Sequence, residues 1–186
     1  MNLILLYIIC LIYVIFFLII SYIIVFNNKS DYDFIKSQEK EITLMKKMDF
    51  NRDWTVQKDG SPEIRHVNLP DDAMIREHRS KENKTCSASA YFAGGKYVYC
   101  KNWELSAEDA AQTLILEFEA VYQNATVFLN GEQVAEHPYG YTNFFVDVTG
   151  KVQEGANELK VIADNANVPN TRWYSGSGIY REVQLY

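Results

Sequence analysis

Residues 165–181 (NANVPNTRWYSGSGIYR) bring Asn167, Asn170, Arg172, Trp173 and Tyr174 into one run rich in Gly and Ser. That set suits a sugar: amide and guanidinium groups exchange hydrogen bonds with hydroxyls, and flat rings cover the apolar C–H face of a pyranose. Trp173 and Tyr174 would serve equally as packing beneath the loop, and composition alone leaves both readings open. Glu117 and Glu119 offer a second chemistry, since a retaining glycoside hydrolysis uses two carboxyls held about 5 to 5.5 Å apart. They alternate with Leu116, Phe118 and Ala120, however, so they read as the solvated face of a strand. Asp147, between Val146 and Val148, reads as an outward strand residue or a turn anchor.

Other reactive groups are placed where they can do little. Ser177 lies in Gly176-Ser177-Gly178, but there is no GxSxG elbow, and the following residues read as a strand where an elbow or phosphate cradle needs a helix. Cys10, Cys86 and Cys100 form no CxxC pair, and His66, His78 and His137 form no HxxxH. Neither a metal nor another cofactor is expected, and no residue of this chain is assigned a catalytic role. One Cys lies in the apolar leader, which leaves Cys86 with Cys100 as the disulfide to consider, against two isolated thiols in a reducing cytosol.

The chain has 186 residues, 18 Lys+Arg against 24 Asp+Glu, and a net charge of −6. With a pI near 5.1 and no cluster of Lys or Arg, it lacks the concentrated positive charge that binding nucleic acid requires. Residues 1–26 (MNLILLYIICLIYVIFFLIISYIIVF) carry no charge. At helical rise they cover the roughly 30 Å hydrocarbon core of a bilayer, and they lack the basic start and small-residue site of a cleaved signal. As a transmembrane helix this leader would leave the globular part in the cytoplasm, because Lys29, Lys36, Lys40, Lys46 and Lys47 follow it. Its Ile, Leu, Phe, Tyr and Asn also match translated AT-rich DNA, in which case Met45 or Met48 is the natural start and the protein is cytoplasmic.

Residues 27–49 are charged and read as a short helix or linker. From residue 50 to 186 the pattern changes to short β-branched and aromatic runs separated by Gly, Asn, Asp and Pro. A half-buried strand is expected over 113–121, with Leu114, Leu116, Phe118 and Ala120 inward. Ala125 to Leu129 runs into Asn130-Gly131, which tolerates the positive φ angles of a type I′ hairpin. Further strands are expected at 89–92, 97–103, 143–148, 158–163 and 179–185, with Gly155-Ala156-Asn157 as a turn. At least seven strands, each hydrophobic on one face, predict an all-β sandwich of two sheets behind the apolar N-terminal helix.

A family resemblance rests on Leu69-Pro70-Asp71-Asp72-Ala73-Met74-Ile75, Tyr91-Phe92-Ala93-Gly94-Gly95-Lys96-Tyr97, residues 118–125, Asn130-Gly131, Tyr139-Gly140-Tyr141-Thr142 and residues 169–181. Together these resemble the N-terminal sugar-binding domain of glycoside hydrolase family 2, which includes β-galactosidases, β-glucuronidases and β-mannosidases. The resemblance implies a jelly-roll, galactose-binding-like sandwich that packs beside an immunoglobulin-like domain and a (β/α)₈ barrel carrying both catalytic glutamates. It implies a β-galactoside or β-glucuronide as the carbohydrate partner, and the barrel as the protein partner. Asn170, Arg172 and Trp173 are carried over as sugar-contacting or site-shaping residues, with Tyr174 and Arg181 holding their loop. Where the family has Leu-Pro-His-Asp, this chain has Asp71 in the histidine's place, and a carboxylate cannot supply the imidazole's donor. A free-standing carbohydrate-binding module, tethered or not, and an inactive gene remnant are the other readings of a chain this short.

Overall fold

Side chains that alternate between apolar and polar build two sheets, and the apolar faces close on each other. The structure, a computed structural model, describes residues 46–167 and 171–186. Within it Lys47–Tyr186 form one compact unit. The strands are β1 (Met48–Asp49), β2 (Trp54–Lys58), β3 (Ile64–Val67), β4 (Gly95–Leu105), β5 (Ile115–Phe118), β6 (Ala125–Leu129), β7 (Glu132–His137), β8 (Phe144–Asp147), β9 (Gly155–Asn165) and β10 (Val183–Leu185). One sheet has the order β1-β10-β5-β8 and the other β3-β2-β4-β9-β6-β7, and neighbouring strands are antiparallel throughout. The architecture is the expected all-β two-sheet sandwich.

Leu116 and Phe118 of β5 and Val183 and Leu185 of β10 are buried in one core with Trp54, Val56, Tyr97, Tyr99, Val127, Leu129, Leu159 and Val161 of the larger sheet. Each large apolar side chain buried this way contributes about 1.5–3 kcal/mol. Glu117 and Glu119 take the opposite face, half-buried. Glu117 accepts from Asn143 Nδ2 at 3.2 Å and from the Tyr186 hydroxyl at 2.8 Å, so it ties neighbouring strands of its sheet together. Asp147 is exposed and anchors a turn through Thr149 N at 2.9 Å. The Thr149 hydroxyl and backbone amide hold its carboxyl below the usual range. At the hairpin, Asn130 and Gly131 have φ of 51° and 86°, as a type I′ turn requires.

Three local expectations are corrected. Residues 89–92 do not form a strand: Cys86–Ser89 is a 3₁₀ turn, followed by Ala90 and Tyr91 in left-handed conformation. Thr85 Oγ1 and Ser89 Oγ both donate to the Phe92 carbonyl, so local side chains satisfy backbone that a strand would have given to a neighbour. Gly155-Ala156-Asn157 is not a turn but the start of β9, paired with Leu105, Glu104 and Trp103. The turn lies before it and is fastened by the buried Asn157 side chain, which accepts from Gln153 N at 2.9 Å and donates to Gln153 O at 2.8 Å. Of residues 179–185 only Val183–Leu185 is a strand, because Ile179 gives its carbonyl to Asp71 N and not to the sheet.

β1, β2 and β3 lie outside the strands expected from the sequence, and β1 falls within residues 27–49, where the sequence reads as a linker or short helix. Cys86 and Cys100 are free thiols, and burial pushes the Cys100 thiol up. Residues 1–26, with the expected apolar helix, lie outside the described residues. Among the described residues no helix is long and apolar enough to cross a membrane.

Candidate functional site

Loop 171–180 connects the end of β9 to β10, and its backbone is fixed by buried polar groups from three directions. Asn165, the last residue of β9, donates Nδ2 to the Ser177 hydroxyl at 2.6 Å and to the Gly176 carbonyl at 3.2 Å. Asp72 sits under the loop: Oδ1 accepts from Ser177 N at 3.0 Å and Met74 N at 3.1 Å, and Oδ2 accepts from the Tyr174 hydroxyl at 2.5 Å. Gly178 exchanges backbone hydrogen bonds with Tyr122 at 2.8 and 2.9 Å. With three donors on it from the loop and the segment after it, Asp72 is a structural anchor.

The glycines of this loop are there for space as well as conformation. Gly176 has φ +72°, and a β-carbon on it would lie 2.9 Å from Asp72 Oδ2. Gly178 has φ +125°, and its β-carbon would lie 2.1 Å from the Tyr99 hydroxyl. That hydroxyl donates to Asp71 Oδ2 at 2.8 Å, while Arg76 Nε lies 3.8 Å from Oδ1. Asp71 therefore stands buried, with the Tyr99 hydroxyl on one oxygen and the Arg76 guanidinium near the other.

The anchoring turns Trp173 outward. Its side chain is 62% exposed, and Nε1 donates to the Tyr141 hydroxyl at 3.3 Å. Tyr141 meets Tyr122 and Tyr139 edge to face, at centroid distances of 5.3 and 5.6 Å. The Tyr180 hydroxyl pins the turn by donating to the Gly140 carbonyl at 2.7 Å, and Gly140 packs against the Tyr122 ring so closely that a β-carbon would lie 2.3 Å from it. The result is an indole and two phenols at the surface on a rigid, hydrogen-bonded base.

Of the residues singled out from the sequence, Trp173 and Arg172 are exposed on this loop and Tyr174 holds it. Tyr174 also packs on Phe92 at 5.6 Å. Arg181 is exposed and makes no hydrogen bond or ion pair among the described residues. Asn170 lies outside the described residues. The site also draws on Tyr141, which the sequence offers only as part of a supporting turn, and on Asp72 and Tyr122, to which its motifs assign no role. The signal for Tyr141 was two tyrosines flanking a glycine, a pattern that lets both rings leave one side of a tight turn. Among the described residues no group of three or more His, Cys, Asp or Glu could hold a metal ion.

The buried phenols make the site's integrity pH-dependent. Burial, then hydrogen bonding to Glu77, raises the Tyr97 phenol; burial, then the Asp71 charge, raises Tyr99; burial, then the Asp72 hydrogen bond, raises Tyr174. Their folded values exceed the ordinary phenol value of about 10, so their contribution is whole below pH 10 and is lost as pH rises above it. Absorbance at 295 nm should show exposed tyrosines such as Tyr139 ionising first. Tyr97 and Tyr99, buried, and the half-buried Tyr174 should follow only with cooperative loss of near-ultraviolet circular dichroism. Ionisation of all tyrosines near pH 10 with the fold intact would contradict the burial.

A jelly-roll-like β-sandwich with an anchored aromatic loop belongs to the class of galactose-binding-like domains. The family profile described as glycosyl hydrolase 2 galactose-binding domain-like matches residues 32–175, and the chain belongs to that family. It is similar to the β-galactosidase BoGH2A of Bacteroides ovatus, 36% identical over 160 residues that cover 80% of this chain and 19% of that protein. It is also similar to a β-glucuronidase of Formosa agariphila, 26% identical over 87% of this chain and 17% of that one. Among solved structures, a β-glycosidase from Bacteroides vulgatus superposes with a TM-score of 0.70 at 30% identity, covering 76% of this chain and 20% of the other. The chain thus spans about a fifth of the length of the relatives it matches.

Proposed function

We propose that this chain is the sugar-recognising sandwich of a family 2 β-glycosidase acting on β-galactosides or β-glucuronides. In this reading loop 171–180 contributes to the sugar site, and the acid/base and nucleophile carboxyls belong to a barrel domain. One observation carries the proposal. The loop spends its polar groups on Asp72, Asn165 and Tyr122 and leaves the Trp173 ring largely free beside Tyr139 and Tyr141. An aromatic kept out of a core at the cost of this anchoring is a platform for a ligand, and a pyranose face fits an indole. Arg172, exposed next to it, supplies donors for sugar hydroxyls or a sugar carboxylate.

The chain's own residues would bind and orient. Stacking on Trp173 fixes one face of the ring, and the Tyr141 hydroxyl accepts from the indole N–H, which holds the plane of the platform. Glycosyl transfer needs two carboxyls flanking the bond, whereas Asp72 anchors the loop through three donors and Glu117 ties strands together through Asn143 and Tyr186.

Two expected results test this. The 186-residue chain, given 4-nitrophenyl β-galactoside or β-glucuronide, should release no nitrophenol. Turnover abolished by Glu117→Gln would overturn the proposal. In calorimetric titration with methyl β-galactoside and methyl β-glucuronide, Trp173→Ala should weaken the better ligand about tenfold, the equivalent of the ~1.5 kcal/mol that an aromatic contact supplies. Equal affinities would remove Trp173 from the site. The apolar run at residues 1–26 supports a membrane tether with the sandwich on the cytoplasmic side. An intact mass of the native protein showing a start at Met45 or Met48 would contradict it.

A further inference from the structure

A second concavity lies on a different part of the sandwich, at the edge of the six-stranded sheet. It is a groove of about 460 Å³ between the β2–β3 edge and the segment that follows Asp72, and its lining includes Lys58, Arg65, Arg76, Glu63, Glu77 and Tyr97. Strand alternation explains its place. Val56 pairs with Tyr99 and Arg65, and Lys58 with Tyr97, so the face that is apolar deep in the sandwich turns charged where it reaches the edge strand β3.

Part of this lining is already organised. The Tyr97 hydroxyl donates to Glu77 Oε1 at 2.6 Å, and Lys58 Nζ lies 2.5 Å from the same oxygen. Glu77 Oε2 carries no hydrogen bond among the described residues, which leaves a lone pair for a hydroxyl donor. Arg76 reaches Asp71 only at 3.8 Å and is exposed, and Arg65, half-buried, has no ion pair among the described residues. Lys58 is paired with Glu77 and Arg76 with Asp71, which leaves Arg65 as the cation of this lining without an ion pair among the described residues.

We propose that this groove is a binding site for a carboxylate-bearing sugar, a uronate, separate from the Trp173 platform. Arg65 and Arg76 take the sugar carboxylate, for which the guanidinium fork is shaped, and Glu77 and Glu63 accept from ring hydroxyls. The mixture of signs selects the class. A phosphate-dense ligand would be repelled by Glu63 and Glu77, and a neutral pyranose would leave the unpaired guanidinium of Arg65 uncompensated. Tyr97 of the lining is buried and offers its hydroxyl to Glu77, and the exposed ring of His78 is the small, polar imidazole, so polar recognition dominates.

The test is calorimetric titration of the full chain with sodium D-glucuronate, sodium D-galacturonate, their methyl esters and D-galactose. The expected result is saturable millimolar binding of at least one uronate. Its affinity should fall about tenfold or more in Arg65→Ala and in Arg76→Ala, the loss of one charge-assisted pair, and be retained in Trp173→Ala. Circular dichroism shows whether each variant is folded; because Arg76 also lies beside the buried Asp71, Arg65→Lys, which keeps the charge and loses the guanidinium fork, is the variant read should an alanine variant unfold, and it too should bind the uronate more weakly. In the Trp173→Ala background, which removes the sugar binding of the platform, absence of uronate binding, equal binding of the methyl ester or galactose, or indifference to both arginines would overturn the proposal. So would loss in Trp173→Ala with binding intact in the arginine variants, which would assign the uronate to the loop and leave the reading of that loop standing.

Discussion

Replacing Gly178 with alanine is expected to cost about 3 kcal/mol or more of stability, lowering the melting temperature by about 10 °C. Two independent penalties add. The backbone holds φ at +125°, which a residue with a β-carbon adopts only under strain, and the new carbon would lie 2.1 Å from the Tyr99 hydroxyl. Tyr99 cannot retreat, because it is fully buried and its hydroxyl satisfies the buried Asp71 carboxylate. Relief has to come from moving Gly178, which breaks its paired hydrogen bonds with Tyr122 and loosens the loop that carries Trp173. Denaturant unfolding measures the loss, and a change below about 0.5 kcal/mol, the range of an ordinary surface substitution, would show that the contact is not as close as described.

Asp72→Ala is the second large effect, expected at about 2–4 kcal/mol, because it strands three donors at once: Ser177 N, Met74 N and the Tyr174 hydroxyl. The companion variant separates hydrogen bonding from charge. In Asp72→Asn the amide oxygen can still accept from both backbone N–H groups, and the Tyr174 hydroxyl can rotate to accept from the new amide. The asparagine variant should therefore lose less than about half as much as alanine. Amide hydrogen exchange should locate the damage in residues 171–180 while β4, β6 and β9 stay protected. Equal losses in both variants would mean that charge, not hydrogen bonding, fixes the loop.

What could be seen in the sequence was whatever the chain decides locally. The 113–121 alternation and the Asn130-Gly131 turn depend on neighbouring residues: burial alternates from Leu114 to Ala120 as expected, although the strand itself is only Ile115–Phe118, and the turn stands. β2 and β3 were equally local: Asp59-Gly60 is a hairpin signal between WTVQK and IRHV, but the polar residues of the outer face hid the apolar ones at Trp54 and Val56. Residues 89–92 went the other way, since Ser and Thr hydroxyls closed the backbone on itself.

The site was legible as residue types and not as geometry. Trp173 and Tyr174 are adjacent in sequence and point to opposite fates, one to solvent and one to Asp72, which lies 102 residues earlier in the chain. No periodicity encodes that pairing. The groove at Arg65 was hidden for the same reason, because it is assembled from β2, β3, β4 and the segment after Asp72.

The most direct measurement is acrylamide quenching of tryptophan fluorescence with and without saturating methyl β-galactoside or methyl β-glucuronide. Trp54 is fully buried and Trp103 half-buried, so the quenchable signal belongs chiefly to Trp173. The account predicts that bound sugar shields this signal and that the shielding is absent in Trp173→Phe, whose remaining tryptophans respond little. Sugar that binds while leaving Trp173 as open to acrylamide as before would contradict the claim that this loop is a sugar platform.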